Sequence, residues 1–167
     1  MTSATQATIS QRSANSFGRI LAIDYGRKRF GLAISDEARV TSRPLATLAR
    51  TNRRDDLRRL RLLAREHEVR LIVVGLPLRL DGTSGEMAEE AKRFATRLTQ
   101  HLGLPVELMD ERLTSWEAGQ IPISNKSRGP RQSRKATRDD VAAAVILRDY
   151  LAAKSETKSP AAARRKS

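Results

Sequence analysis

Three carboxylates occupy positions where an α/β fold could bring acids together. Asp24 follows the apolar run 20–23, Glu111 lies just beyond the predicted strand 106–109, and Asp139 stands at the start of a predicted helix. Parallel strands leave a sheet at one edge, so Asp24 and Glu111 are expected there together, with Asp139 closing the triangle. Taken alone, Asp24 fits a turn residue better, because Asp-x-Gly is common in hairpins for backbone reasons.

Three carboxylates in one pocket repel each other, and a divalent cation would relieve that repulsion. Mg²⁺ and Mn²⁺ prefer oxygen ligands and bridge phosphates. Two such ions ~3.5–4 Å apart can activate a water and stabilise the leaving oxygen of a phosphodiester. Asp24, Glu111 and Asp139 are therefore candidate metal ligands and catalytic residues of a metal-dependent nuclease.

The charge of the chain favours a polyanionic partner. The net charge is +13, and residues 119–138 hold six Lys or Arg and no acid. Basic runs are often only solvated faces, but this excess on one small domain favours nucleic acid. Arg27, Lys28 and Arg29, beside Asp24, become candidate phosphate contacts.

Composition also excludes several classes. The chain has no cysteine, which removes disulfides and thiolate metal sites. No apolar run approaches the ~20 residues of a membrane-spanning helix, and no strongly apolar helical face accompanies the positive charge. We therefore expect no membrane partner.

The elements that must position the acids follow from periodicity. Residues 20–23 and 32–34 predict a hairpin whose turn includes Gly26 and Gly31. Residues 40–48 predict an edge strand, because Pro44 would interrupt a central one. Strands are also predicted at 71–74 and 106–109, and helices at 53–68, 84–102 (capped by Ser84) and 138–153 (capped by Thr137). This order predicts a mixed α/β sheet flanked by helices.

The domain limits follow from composition. Residues 1–18 are rich in Ser, Thr and Gln and predict a disordered extension, residues 19–153 form the folded domain, and residues 154–167 form a basic disordered tail. The loop at 78–85 either brings backbone close to a ligand or simply joins a strand to a helix.

Four ordered blocks carry a family resemblance: LAIDYGRKRFGLAISD, IVVGLPLRLDGT, DERLTS and DDVAAAVILRDYL. They resemble the YqgF/RuvX family, described as pre-16S rRNA nucleases and Holliday-junction-resolvase-like proteins. The resemblance implies a ribonuclease H-like fold with a five-stranded sheet, a cytoplasmic location and a role in maturing the 5′ end of 16S rRNA. Branched DNA is the alternative substrate, and the oligomeric state, monomer or homodimer, is left open.

The family's acidic positions fall on Asp24, Glu111 and Asp139, and Arg112 in the DERLTS block is a further candidate nucleic-acid contact. Resolvases of the RuvC type carry a fourth acid, which Asp140 would supply unless it caps the helix. The chain departs from the family at Thr137, where a lysine is common, and in the Pro/Ser/Arg-rich segment 119–136.

Two other functions fit parts of the sequence. A nucleic-acid-binding factor without turnover would use the basic surface and leave the acids structural. A phosphate loop of the sugar-kinase and actin-like ATPases would use the hairpin at Asp24, but those proteins enclose ATP between two such lobes and 167 residues supply one.

Overall fold

The computed structural model describes residues 17–111 and 138–158 of the chain. Its centre is one five-stranded sheet in the order β3-β2-β1-β4-β5. The strands are β1 (Arg19–Tyr25), β2 (Arg29–Ser35), β3 (Ser42–Ala49), β4 (Val69–Leu76) and β5 (Val106–Asp110), and the helices are α1 (Arg53–Glu66), α2 (Glu86–Leu102) and α3 (Arg138–Lys158). β1 pairs antiparallel with β2 and parallel with β4. The predicted mixed sheet is confirmed, and the hairpin of β1 and β2 lies at its centre.

The hairpin turn is shorter than predicted. β2 begins at Arg29, so the turn holds residues 26–28 and Gly31 lies inside the strand opposite Asp24. The alternation of Phe30, Leu32 and Ile34, all completely buried, shows why the strand starts early. The prediction that placed Gly31 in the turn was wrong.

β3 is an edge strand, as Pro44 predicted. Its pairing with β2 shifts register near this proline, where Ala33 faces Pro44 and Leu32 faces Ala46. Leu45 is the extra residue of this β-bulge. Because β3 is antiparallel to β2, it runs in the direction of β1 and ends at the same edge of the sheet.

Two apolar layers cover the sheet. On one face, α1 and α2 pack against side chains that include Leu21, Ile23 and Phe30. On the other face, α3 packs against Ile20 and Ala22. Alternation along β1 therefore sends successive side chains to opposite layers.

The three helices lie where they were predicted, and their ends differ from the predictions by a few residues. Asn52 caps α1, its side chain accepting from the backbone N–H of Asp55 at 3.0 Å. The N-cap of α2 is Gly85, without a side-chain hydrogen bond, so the predicted Ser84 cap is wrong. The Ser84 hydroxyl instead accepts from Lys92 at 2.7 Å. α3 continues to Lys158, beyond the predicted end at residue 153.

Several predictions lie outside the described residues. These are most of the extension at 1–18, the cap at Thr137, the candidate contact Arg112, the basic linker and the end of the tail. Within residues 17–111 and 138–158, none of the helices combines the length and apolarity needed to cross a lipid bilayer.

Candidate active site

Asp24 is held by the central strand and lies on the α3 side of the sheet. It follows Ile20 and Ala22 in alternation, while its neighbour Tyr25 packs into the opposite layer. The carboxyl is half-buried. Burial raises its pKa above the ordinary value of 3.8, and the nearby charge of Asp139 raises it further. A carboxylate on a rigid strand in a partly dry setting has the fixed geometry that metal binding or proton transfer requires.

Asp139 reaches this edge because the first turn of α3 packs directly on β2. A Cβ placed on Gly31 would overlap the Asp139 carbonyl, so glycine is the residue that lets the helix start so close to the sheet. Gly31 is also the register partner of Asp24. The Asp139 carboxylate pairs with Arg29, whose Nε lies 3.2 Å from Oδ2.

Glu111 immediately follows β5 and points back across β4. A Cβ on Gly75 would collide with the Glu111 carboxylate and with the Ile146 side chain, so this strand glycine makes the space for the acid. Burial raises the pKa of Glu111 to about 7, and the charges of Asp24 and Asp110 contribute to the rise. Asp24 is therefore electrostatically coupled to both Asp139 and Glu111.

The donor chemistry of the three acids fits a hard divalent cation, since all are carboxylates whose repulsion a cation would relieve. The side chains do not form one coordination shell as they stand. Within the described residues, no group of three or more His, Cys, Asp or Glu is arranged to hold a metal ion. The Arg29 guanidinium instead forms an ion pair with the Asp139 carboxylate and neutralises its charge.

Asp140, the candidate fourth acid, is buried at 7% exposure. Its Oδ1 accepts no hydrogen bond from any described residue. The alternative role of a helix cap involves Thr137, which lies outside the described residues. Arg112 lies there as well.

The three cations of the hairpin point in different directions. Arg29 faces Asp139, whereas Arg27 reaches the opposite layer and pairs with Glu90 at 2.8 Å and Glu86 at 3.1 Å on α2. Lys28 is exposed at the tip. Of the three, Arg29 alone contacts one of the candidate metal ligands.

Arg50, which the sequence analysis did not single out, fastens the hairpin tip. Its guanidinium lies 5.1 Å and 5.0 Å from the ring centres of Tyr25 and Phe30. It donates to the Tyr25 hydroxyl and the Gly26 carbonyl, both at 3.1 Å, and pairs with Asp56 at 3.5 Å. Nothing in the local sequence distinguishes this arginine from its many neighbours.

The loop at 78–85 is a self-contained connection. Leu78 and Ser84 form an isolated bridge, and Asp81 accepts from the backbone and hydroxyl of Thr83 at 2.9 and 2.7 Å. These contacts hold the loop in a compact turn between β4 and α2.

The five-stranded mixed sheet flanked by helices has the ribonuclease H-like fold. Thermus thermophilus RuvC superimposes with a TM-score of 0.51 at 15% identity, covering 81% of this chain and 96% of RuvC. A second structure of T. thermophilus RuvC, in complex with a Holliday junction substrate, superimposes with a TM-score of 0.50 at the same identity and coverage. At this identity the likeness establishes the fold.

The chain belongs to the RuvX family. The family model described as a Holliday junction resolvase matches residues 18–153. A relative from Syntrophus aciditrophicus, named "Putative pre-16S rRNA nuclease", is 44% identical over 142 residues, 85% of this chain and 93% of the relative. A relative of the same name from Anaeromyxobacter sp. (strain K) is 45% identical over 133 residues, 80% of this chain and 96% of the relative. The family resemblance and the fold predicted from it are confirmed.

Proposed function

We propose that this protein is a divalent-metal-dependent nuclease that hydrolyses phosphodiester bonds, and that its substrate is pre-16S rRNA during maturation of the 5′ end. The observation that carries the proposal is that three carboxylates lie at one edge of the sheet. Asp139 packs against Gly31, the register partner of Asp24, and the Glu111 carboxylate packs against Gly75 of the neighbouring strand. The names of the relatives supply the substrate. Precursor rRNA as substrate implies action in the cytoplasm.

Mg²⁺ or Mn²⁺, when bound, would polarise the phosphodiester and supply a water of lowered pKa. In this proposal Asp24, Glu111 and Asp139 hold the metal. Without metal, burial and the neighbouring acids raise the pKa of Glu111 to about 7, and a bound divalent cation would favour its ionised, metal-binding form.

Arg29 has a distinct part in this proposal. It neutralises Asp139 in the described conformation. A scissile phosphate at the site offers Arg29 an alternative anion, because guanidinium binds phosphate as readily as carboxylate. Transfer of Arg29 to the substrate would free Asp139 to act as a ligand.

Branched DNA is the second candidate substrate, favoured by the description of the family model as a Holliday junction resolvase. The two substrates are separated by direct competition. Purified protein with Mg²⁺ or Mn²⁺ is given a pre-16S rRNA 5′ fragment and a four-way DNA junction of matched length. Specific cleavage of the RNA supports rRNA processing, and preferential cleavage of the junction supports the resolvase.

The catalytic assignment is tested with Asp24→Asn, Glu111→Gln and Asp139→Asn on the preferred substrate. Each variant is expected to lose cleavage while retaining nucleic-acid binding. If the wild-type protein binds but does not cleave with any divalent metal, the protein is a binding factor and the nuclease proposal fails.

A further inference from the structure

The solvent face of α1 carries a row of four arginines. They are Arg54, Arg58, Arg61 and Arg65. Spacings of four, three and four residues place them along one face of the helix, and all four are exposed. No ion pair or hydrogen bond of these guanidinium groups occurs with any described residue. We call these four residues the α1 arginine row.

Other arginines nearby are already engaged. Arg59 donates to Asp56 at 2.7 Å and to the Ala49 carbonyl at 2.6 Å. Arg50 also pairs with Asp56, and Arg27 is taken by acids of α2. Asp56 thus pairs with Arg50 and Arg59, whereas no arginine of the row forms such a pair with a described residue.

The row begins near the edge of the sheet that holds the acids and leads away from it. The Arg50 backbone N–H donates to the Lys28 carbonyl at 2.9 Å, which places the start of α1 beside the hairpin tip. An open cleft of about 650 Å³ lies there, and exposed Lys28 and Arg53 are among its lining residues. At the far end, Arg61 and Arg65 line a second cavity, of about 320 Å³, together with Arg70.

The row lies on the opposite layer from the acids. α1 packs through Leu57 and Leu60 on the sheet face that carries Leu21, Ile23 and Phe30. Asp24 and Asp139 lie on the other side of the sheet, where α3 packs. The nucleotide at the acids therefore cannot also contact the row. Whatever the row binds must be a different segment of the same polyanion.

We propose that the α1 arginine row is a docking surface for the phosphate backbone of a duplex segment of the nucleic-acid substrate, remote from the bond that is cut. The row spans eleven residues of helix, or ~16 Å. Over that length one strand of a duplex presents about five phosphates, close to one for each guanidinium. The inference rests on the proposed function, because it assumes a nucleic-acid substrate, and it adds that the substrate is folded or branched.

The test compares two double variants, each of which replaces two arginines with glutamine and so removes the same amount of positive charge. Arg58→Gln with Arg61→Gln removes half of the row, and Arg93→Gln with Arg97→Gln removes two arginines of α2 in the same layer. Binding of an RNA hairpin with a long stem is followed by fluorescence anisotropy over a range of salt concentrations. Both proteins carry Asp24→Asn to prevent cleavage, and circular dichroism verifies that each is folded.

We expect the α1 variant to lose affinity ~10-fold or more and to lower the slope of log Kd against log salt by about 2. The α2 variant should change affinity less than about twofold and the slope by less than about 1. Equal losses in both variants would show a general effect of net charge and would overturn the proposal, as would an unchanged slope in the α1 variant.

A second arm separates this proposal from the nuclease assignment. For this arm Asp24 is left unchanged. The α1 variant should then cleave a short unstructured RNA at saturating concentration as fast as the wild-type protein does. Slower cleavage of that RNA would mean that the row acts at the acids, which contradicts the inference. Failure of all proteins to cleave would sink the nuclease proposal and leave the binding result intact.

Discussion

Glu111 offers a test of the site's electrostatics that needs no substrate. Its pKa is about 7 in the fold and 4.5 ordinarily, with burial as the first cause and Asp24 and Asp110 as the others. The folded protein therefore binds this proton more tightly than the unfolded chain does between those pH values. Stability from this residue is greatest below pH 4.5, falls as the pH rises toward 7, and stays low above it. Glu111→Gln carries no charge at any of these pH values, so it avoids this loss of stability at high pH.

The magnitude follows from the same numbers. At ~1.4 kcal/mol per pKa unit, the difference between 4.5 and about 7 corresponds to ~3 kcal/mol. Because Glu111 is only partly buried, solvent screening reduces this to ~1–2 kcal/mol. In EDTA at pH 8 we expect Glu111→Gln to be more stable than the wild-type protein by that amount, with the difference reduced to about a quarter at pH 5.

Urea unfolding at the two pH values measures the effect, with Glu66→Gln, an exposed acid in the last turn of α1, as the control. The control should stay within ~0.5 kcal/mol of the wild-type protein. Mg²⁺ at a hundredfold excess over its Kd should stabilise the wild-type protein by up to ~2.7 kcal/mol and the Glu111 variant by less. A Glu111→Gln protein that is no more stable at pH 8, or equally favoured at pH 5, would refute the account of the site's repulsion.

Three further changes test the framework around the site. Gly31→Ala should destabilise the fold by ~2–3 kcal/mol in urea unfolding, because its Cβ would overlap the Asp139 carbonyl, whereas Gly85→Ala, with ordinary contacts, should cost less than ~1 kcal/mol. Asp56→Ala should cost ~2–4 kcal/mol at pH 7. Although burial opposes its ionisation, hydrogen bonds from backbone and arginines lower the Asp56 pKa, so this cost should shrink as the pH falls below 3.8. Arg50→Lys keeps the charge but loses the planar contacts to the hairpin tip, and should slow single-turnover cleavage ~10-fold with substrate affinity changed less than twofold.

Much of the fold could be predicted because local patterns and global packing agree. The apolar stripe of α1, with Leu57, Leu60 and Ala64, is the face that the helix buries. Pro44 marked the edge strand, and the apolar run 71–74 predicted the strand that the structure shows as β4. Such patterns can be seen in the sequence alone, because the faces that an element buries determine the spacing of its apolar residues.

The start of β2 and the cap of α2 were harder to predict because they depend on which of several suitable residues the tertiary structure uses. Gly31 resembled a turn glycine, but its role is set by the helix that packs on it. Ser84 is a good capping residue by type, but in the fold its hydroxyl accepts from Lys92 and the chain turns at Gly85. Neither the packing of α3 on Gly31 nor the hydrogen bond between Lys92 and Ser84 can be predicted from the neighbouring sequence.

Asp24 and Glu111 could be selected from topology because strand exits share an edge, and Asp139 because it stands at the start of a predicted helix. Their supporting residues could not. Gly75 within a buried strand was a usable sign of close approach, but only the structure identifies Glu111 as what approaches it. Arg27 and Arg29 differ in the side of the sheet that each side chain reaches. The sequence of the turn does not predict which side that is.

The most direct test of the central claim is the rate at which the protein cuts a pre-16S rRNA 5′ fragment with and without Asp24. With Mg²⁺ or Mn²⁺ present, the wild-type protein should cleave and EDTA should stop it. Asp24→Asn should bind the fragment normally and cleave at least ~100-fold more slowly. Cleavage by Asp24→Asn at the wild-type rate, or cleavage that EDTA leaves unchanged, would contradict the claim that these carboxylates form a metal-dependent nuclease site.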